Sequence, residues 1–123
     1  MQDTRPSLEA WLAELKASPE ADGVGMYLLH NGVVRGTARD GSAVTGMELS
    51  YDRDLLEAAL AAALEMDGVV FARAWVNEGT LTVGDDIMCA LVGGDIREHV
   101  FDGLKELVRL IKSGVVAERE LAS

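Results

Sequence analysis

The chain has 123 residues, 49% of them hydrophobic, and a formal net charge of −10; this fits one domain, 1–123, with its own apolar core and gives no reason to expect disorder beyond the ends. With 21 Asp and Glu against 11 Lys and Arg, the long-range field repels nucleic acid and anionic membrane surfaces, so neither is an expected partner. The opening stretch MQDTRPSLEA lacks the basic start and apolar run of a signal peptide, and no segment has the length of a membrane span, which makes the cytoplasm the expected location.

The first predicted element is a helix over SLEAWLAELKAS, where Leu8, Trp11, Leu12 and Leu15 recur at helical spacing and SPEADG ends it. VGMYLLHNGVVRGTAR follows as two β-rich runs joined at HNG, because Asn-Gly accepts the positive φ of a tight primed turn; a hairpin is expected there. A third strand is expected around AVTGMELS. DRDLLEAALAAALEM then carries Leu55, Leu56, Ala59, Leu60, Ala63 and Leu64 on one stripe and stops at Asp67-Gly68. VVFARAWV alternates its large side chains and reads as a strand, GTLTVGDD as a short strand and turn, and IMCALVG as a buried strand. Cys89, the single cysteine, lies in that apolar run and is expected to be buried and inert; no Cys/His spacing resembles a metal site. The order α, β-β-β, α, β-β-β, α predicts an α+β fold with helices packed on a mostly antiparallel sheet.

The last helix, running to about Lys112, contains an anomaly. Asp95 and Glu98 fit a capping box at its start, and at about 100° per residue Val100, Phe101, Leu104, Val108 and Ile111 form the apolar stripe. Arg97 falls within that stripe. Lys105, Arg109 and Lys112 form a second stripe, read as a solvated, salt-bridged face for the first two; Lys112, at the apolar margin, fits either a snorkelling side chain or a desolvated catalytic amine. A guanidinium at a core-facing position needs a partner, and the helix N-terminus beside it favours anions. Charge is also uneven along the chain: residues 1–96 hold 6 of the 11 basic and 16 of the 21 acidic residues, residues 97–123 five of each, which suits either a local anion site or a solvated helix with paired flanks. Arg97 and Lys112, 15 positions apart, stand roughly 22 Å from one another along a helix. They serve one small ligand only if a second subunit supplies one of them.

These residues resemble the large, catalytic subunit of molybdopterin synthase. From Gly79 through Lys112, GTLTVGDDIMCALVGGDIREHVFDGLKELVRLIK follows that family's strand-turn, strand, helix-opening His-Arg pair and helical lysine without a gap. Arg97 takes the place of the pair's arginine and Lys112 that of the lysine. GMYLLHNGVVRG fits the family's first hairpin, with Gly32 and Arg35 matching a glycine three residues before a substrate-binding arginine. The resemblance implies an α/β-hammerhead-like fold. It also implies a central homodimer flanked by a small ubiquitin-like sulfur-carrier subunit, whose C-terminal Gly-Gly thiocarboxylate enters a pocket shared across the dimer. Sulfur passes in two rounds to cyclic pyranopterin monophosphate, giving molybdopterin, with no resident cofactor or metal. The implied catalytic residues are Lys112 and Arg119, and the implied substrate-binding residues Arg35, Arg97 and His99. The pattern is departed from in places. Ile96 stands where the pair has histidine, with His99 one turn on as its substitute or as a plain surface histidine. Val76-Asn77-Glu78-Gly79 replaces a His-Arg-x-Gly stretch. Arg119 replaces the second lysine, keeping charge but giving up ready proton transfer. Three readings stand open: a working synthase subunit, a catalytically weak dimeric relative that binds an anion or pterin or docks a partner, and a structural domain without a small-molecule site.

Overall fold

Ser7 opens the first helix, α1 (Leu8–Lys16), where its Oγ accepts a hydrogen bond from the Ala10 amide at 3.1 Å and so satisfies one of the amides that a helix start leaves unpaired. The computed structural model describes residues 5–122, so the first four residues of the N-terminal stretch, and Ser123, lie outside the described residues. A short 3-10 turn (Pro19–Gly23) leads into β1 (Met26–Val33). After a long connection come β2 (Gly46–Tyr51), α2 (Arg53–Leu64), β3 (Val69–Val76), β4 (Gly79–Thr82), β5 (Asp86–Gly94), α3 (Arg97–Leu110), a wide π-type turn (Ile111–Val115) and β6 (Val116–Leu121). The fold is α+β as expected, and every strand pairing is antiparallel.

The strands divide into two three-stranded sheets rather than one, in the orders β1-β5-β3 and β4-β2-β6. β5 is central in the first and is buried along nearly its whole length, which is why IMCALVG reads as a continuous apolar run rather than an alternation. The core gathers between the sheets and helices α2 and α3, with Met88, Val92, Val100, Leu107 and Ile111 at most 1% exposed. Cys89 is a free thiol and fully buried, as expected; burial is the main cause that pushes its proton affinity up.

The sequence reading departs from the structure at several further places along the chain. No hairpin forms at HNG: β1 runs straight through it, with His30, Asn31 and Gly32 opposite Ala90, Cys89 and Met88. Pairing with the buried central strand outweighs the turn preference of Asn-Gly, which instead sits beside a register shift between Gly32 and Val33. The tight turn lies later, at Asp40-Gly41, where Gly41 has φ +89° and the Asp40 carboxylate accepts from the Ser42 amide at 2.9 Å. The capping box is also absent. Ile96 is the N-cap and makes no side-chain cap, while Asp95, one position further out, accepts from the Ile96 amide at 2.6 Å. The tail, VAEREL, for which the sequence suggested no element, forms β6 along β2.

The buried stripe of α3 consists of Val100, Gly103, Leu104 and Leu107, continued by Ile111. Phe101, placed in the stripe by projection, is half exposed. Gly103 is what turns the helix: a Cβ there would lie 2.8 Å from a Val69 methyl and 3.2 Å from one of Val92, so α3 sits down on the sheet at that residue. Leu107, one turn on, then takes the core position that Phe101 and Val108 would otherwise share. Arg97 is exposed despite its angular position. It is the first helical residue, and side chains there lean back past the helix N-terminus, beyond the end of β5 at Gly94. It therefore needs no buried partner.

Candidate functional site

An open groove forms where the end of β1, the connection after it, the π-type turn and β6 meet. Its walls include Val33, Arg35, Arg39, Met47, Ile87, Lys112, Glu118 and Glu120, and its volume is about 630 Å³, within the range of small-ligand clefts. Arg35 and Lys112, 77 positions apart in the chain, are brought to this one groove. Arg35 Nε donates to the Thr37 carbonyl at 2.8 Å, which orients the guanidinium plane. Lys112 Nζ donates to Glu118 Oε1 at 2.7 Å, and its side chain is 45% exposed. The desolvated amine that the margin position suggested is therefore not found; Lys112 lies beyond the end of α3, where the widened turn lifts it off the apolar stripe.

Three cations and three carboxylates share the groove, the latter being Asp40, Glu118 and Glu120. On a chain of net charge −10 this is a locally balanced region, and an anion that displaces Glu118 from Lys112 would meet three positive groups at once. Arg39 and Glu118 went unnoticed in the sequence. The signal was present in VAEREL: in an extended tail, Glu118 and Glu120 share one face while Arg119 points to the other.

Arg119 is placed on that other face. Its guanidinium pairs with Glu48 Oε1 at 2.6 Å and is 67% exposed, and it borders a separate groove with Ser50, Gly79 and Thr80. Arg97 and His99 stand at the far end of α3 from Lys112, so neither reaches the Arg35–Lys112 groove of its own chain. Among the described residues Arg97 has no ion-pair partner. Arg109 is held by Glu106 through two short bonds of 2.7 and 2.6 Å, the solvated pair expected of that stripe.

His99 Nδ1 lies 2.7 Å from Asp95 Oδ1, close beside Gly68, where a Cβ would collide with both and where φ is +74°. The hydrogen bond to Asp95 raises the His99 pKa above the ordinary histidine value, with the Asp95, Asp67 and Glu98 charges adding to it, and the same bond holds the Asp95 carboxyl below its ordinary range. The two signs define a window. A raised histidine stabilises the fold fully below its unfolded pKa and loses this as pH rises through the folded value; a depressed aspartate does so above its unfolded pKa and loses it as pH falls through the folded one. The pair is therefore expected to help most between the unfolded aspartate and histidine values, near pH 4 to 6.5. In urea melts across pH 4 to 9, His99→Gln should lower the midpoint most in that window and converge with the parent above it. A constant difference at all pH values would deny the ion pair its role.

Among the described residues no cluster of three or more His, Cys, Asp and Glu side chains could hold a metal ion, and no helix is long and apolar enough to cross a membrane. Among curated proteins, none matches the sequence. Solved structures do. The molybdopterin synthase of Staphylococcus aureus is 16% identical, with a TM-score of 0.76 over 97% of this chain and 88% of that one. Molybdopterin cofactor biosynthesis protein E of Burkholderia multivorans is 22% identical, with a TM-score of 0.76 over 99% and 85%. A protein-protein complex of subunits 1 and 2 of the molybdopterin-converting factor from Helicobacter pylori contains a chain 17% identical, with a TM-score of 0.69 over 92% and 74%. These likenesses fix the fold, and the model of the MoaE protein family matches residues 1–114. With nearly the whole chain covered by that match, it belongs to the MoaE protein family.

Proposed function

We propose that this chain is the catalytic subunit of a cytoplasmic molybdopterin synthase, a homodimer that receives sulfur from the C-terminal thiocarboxylate of a small ubiquitin-like subunit and passes it to cyclic pyranopterin monophosphate. Membership in the MoaE family supports a role in molybdenum cofactor biosynthesis, and the Helicobacter pylori complex of two subunits supports a small partner. The observation that carries the finer reading is the meeting of Arg35 and Lys112 in one groove. A guanidinium offers two parallel donors to a phosphate, so Arg35, with Arg39 beside it, holds the substrate's phosphate. The Lys112 ammonium, released from Glu118 by the incoming anion, stabilises negative charge on the reacting atoms and gives a proton to the oxygen that sulfur displaces. Arg97, at the other end of α3, serves the partner subunit's groove, with His99 beside it. Arg119, across β6 with Glu48, binds a carboxylate or phosphate at the groove's margin.

A product assay tests this reading directly: the purified chain, a thiocarboxylated small subunit and cyclic pyranopterin monophosphate, with molybdopterin detected as its fluorescent oxidised derivative. Product at a rate above that of the small subunit alone is expected. The second reading, a weak or inactive relative that binds anions or docks a partner, is favoured by Arg119 standing where the family has lysine. Bound substrate with no product would select it.

A further inference from the structure

His30 is absent from the family pattern and from the groove wall, yet it stands directly behind that wall. On β1 it alternates with Leu28 and Gly32 on the face turned to the core. Its ring extends along the strand, with Nε2 3.5 Å from the point where a Gly32 Cβ would sit; Met88 and Ile87 adjoin the same point at 3.6 and 3.8 Å. Ile87, and Val33 next to Gly32 in the chain, line the groove that holds Lys112. The ring nitrogen thus lies in the same small space beside Gly32 as Met88 and Ile87.

We propose that His30 is a proton-accepting residue backing the Arg35–Lys112 groove, and that it takes up a proton when a tetrahedral dianion binds there. The inference rests on the reading of that groove as an anion site and adds to it a coupling between anion binding and pH. Around the ring, β5 offers Ala90 and Met88 and β1 offers Leu28 and Gly32, while α3 turns Leu104, Leu107 and Ile111 to the core. Lys112, from the turn after α3, is the charged group that acts on it. Burial first, and the Lys112 charge second, lower the His30 pKa below the ordinary histidine value, so the imidazole is neutral at pH 7 and has a nitrogen free to accept a proton. A dianion seated against Lys112 offsets that ammonium and adds negative potential, which raises the proton affinity of His30. By linkage the protonated form then binds the dianion more tightly by the same factor.

The chain has two histidines, which makes the test direct. The NMR titration of both imidazoles is followed in sulfate, an anion that stays doubly charged across the range, and in chloride at equal ionic strength, with His30→Phe assigning the signals. The His30 midpoint should rise by roughly half a pH unit or more in sulfate, a factor of about three in affinity, while that of His99 moves less. Lys112→Met should raise the His30 midpoint in chloride, because a repelling charge is gone, and should diminish the effect of sulfate. A His30 midpoint that sulfate leaves in step with His99, or a Lys112→Met variant in which the His30 midpoint does not rise in chloride, overturns the proposal. The outcome is independent of the product assay: turnover without a His30 shift removes this inference alone, and a His30 shift without turnover leaves the anion site standing while sulfur transfer falls.

Discussion

Lys112→Ala is expected to lower product formation by at least about 10²-fold, the scale on which a positioned proton-transfer or charge-stabilising group contributes, while leaving the fold intact. The side chain is 45% exposed, and its one ion pair, with Glu118, is partly solvated, so the stability cost is on the order of 1 kcal/mol or less. Activity and stability are thus separable at this residue, and a thermal melt beside the assay reads both. Unchanged turnover would move the chemistry out of the Arg35–Lys112 groove. The same variant tests the shared site. Because Arg97 and Lys112 stand at opposite ends of α3, a groove needing both takes one from each subunit of a two-fold dimer. Mixing inactive Arg97→Ala with inactive Lys112→Ala should then restore activity, since a mixed dimer has one intact groove and one carrying both substitutions. Random exchange makes about half the dimers mixed, so about a quarter of the parent rate is expected. No recovery after exchange, with both variants dimeric, would confine each site to one chain.

Leu107→Ala is expected to have the largest effect on stability, a loss of about 2–5 kcal/mol. Leu107 is fully buried in the core with Met88, Val92, Val100 and Ile111, and α3 is packed between the β1-β5-β3 sheet and α2, which cannot both close on the space it leaves. For a domain of this size the loss lowers the melting temperature by roughly 10 °C or more. Phe101→Ala is the control. A larger side chain in the same helix but half exposed, it should cost much less; equal losses from the two would mean that the helix is turned otherwise than described.

That contrast marks where sequence reasoning reached its limit. Periodicity located α3 but set its buried face about one residue off, because Gly103 counts as a gap in a hydrophobic pattern and is the residue on which the helix lies closest to the sheet. Local turn preference failed at Asn31-Gly32 for a similar reason: what decides between a turn and a continuing strand is the pairing available, and β5 lies 55 or more positions further along the chain.

The sequence by itself determined the three helices, the buried strand β5, the α+β class and, through the spacing of Gly32, Arg35, Arg97 and Lys112, the family. Each of these is written in short-range periodicity or fixed spacing, which a linear chain preserves. Only the tertiary structure decided that the strands form two sheets, that the tail closes the second of them as β6, that Glu118 holds Lys112, and that Lys112 and Arg119 face different grooves. Those features depend on which strand pairs with which and on the side of the strand a residue faces. Pairing free energy comes from contacts between distant segments, and no local window of sequence contains it.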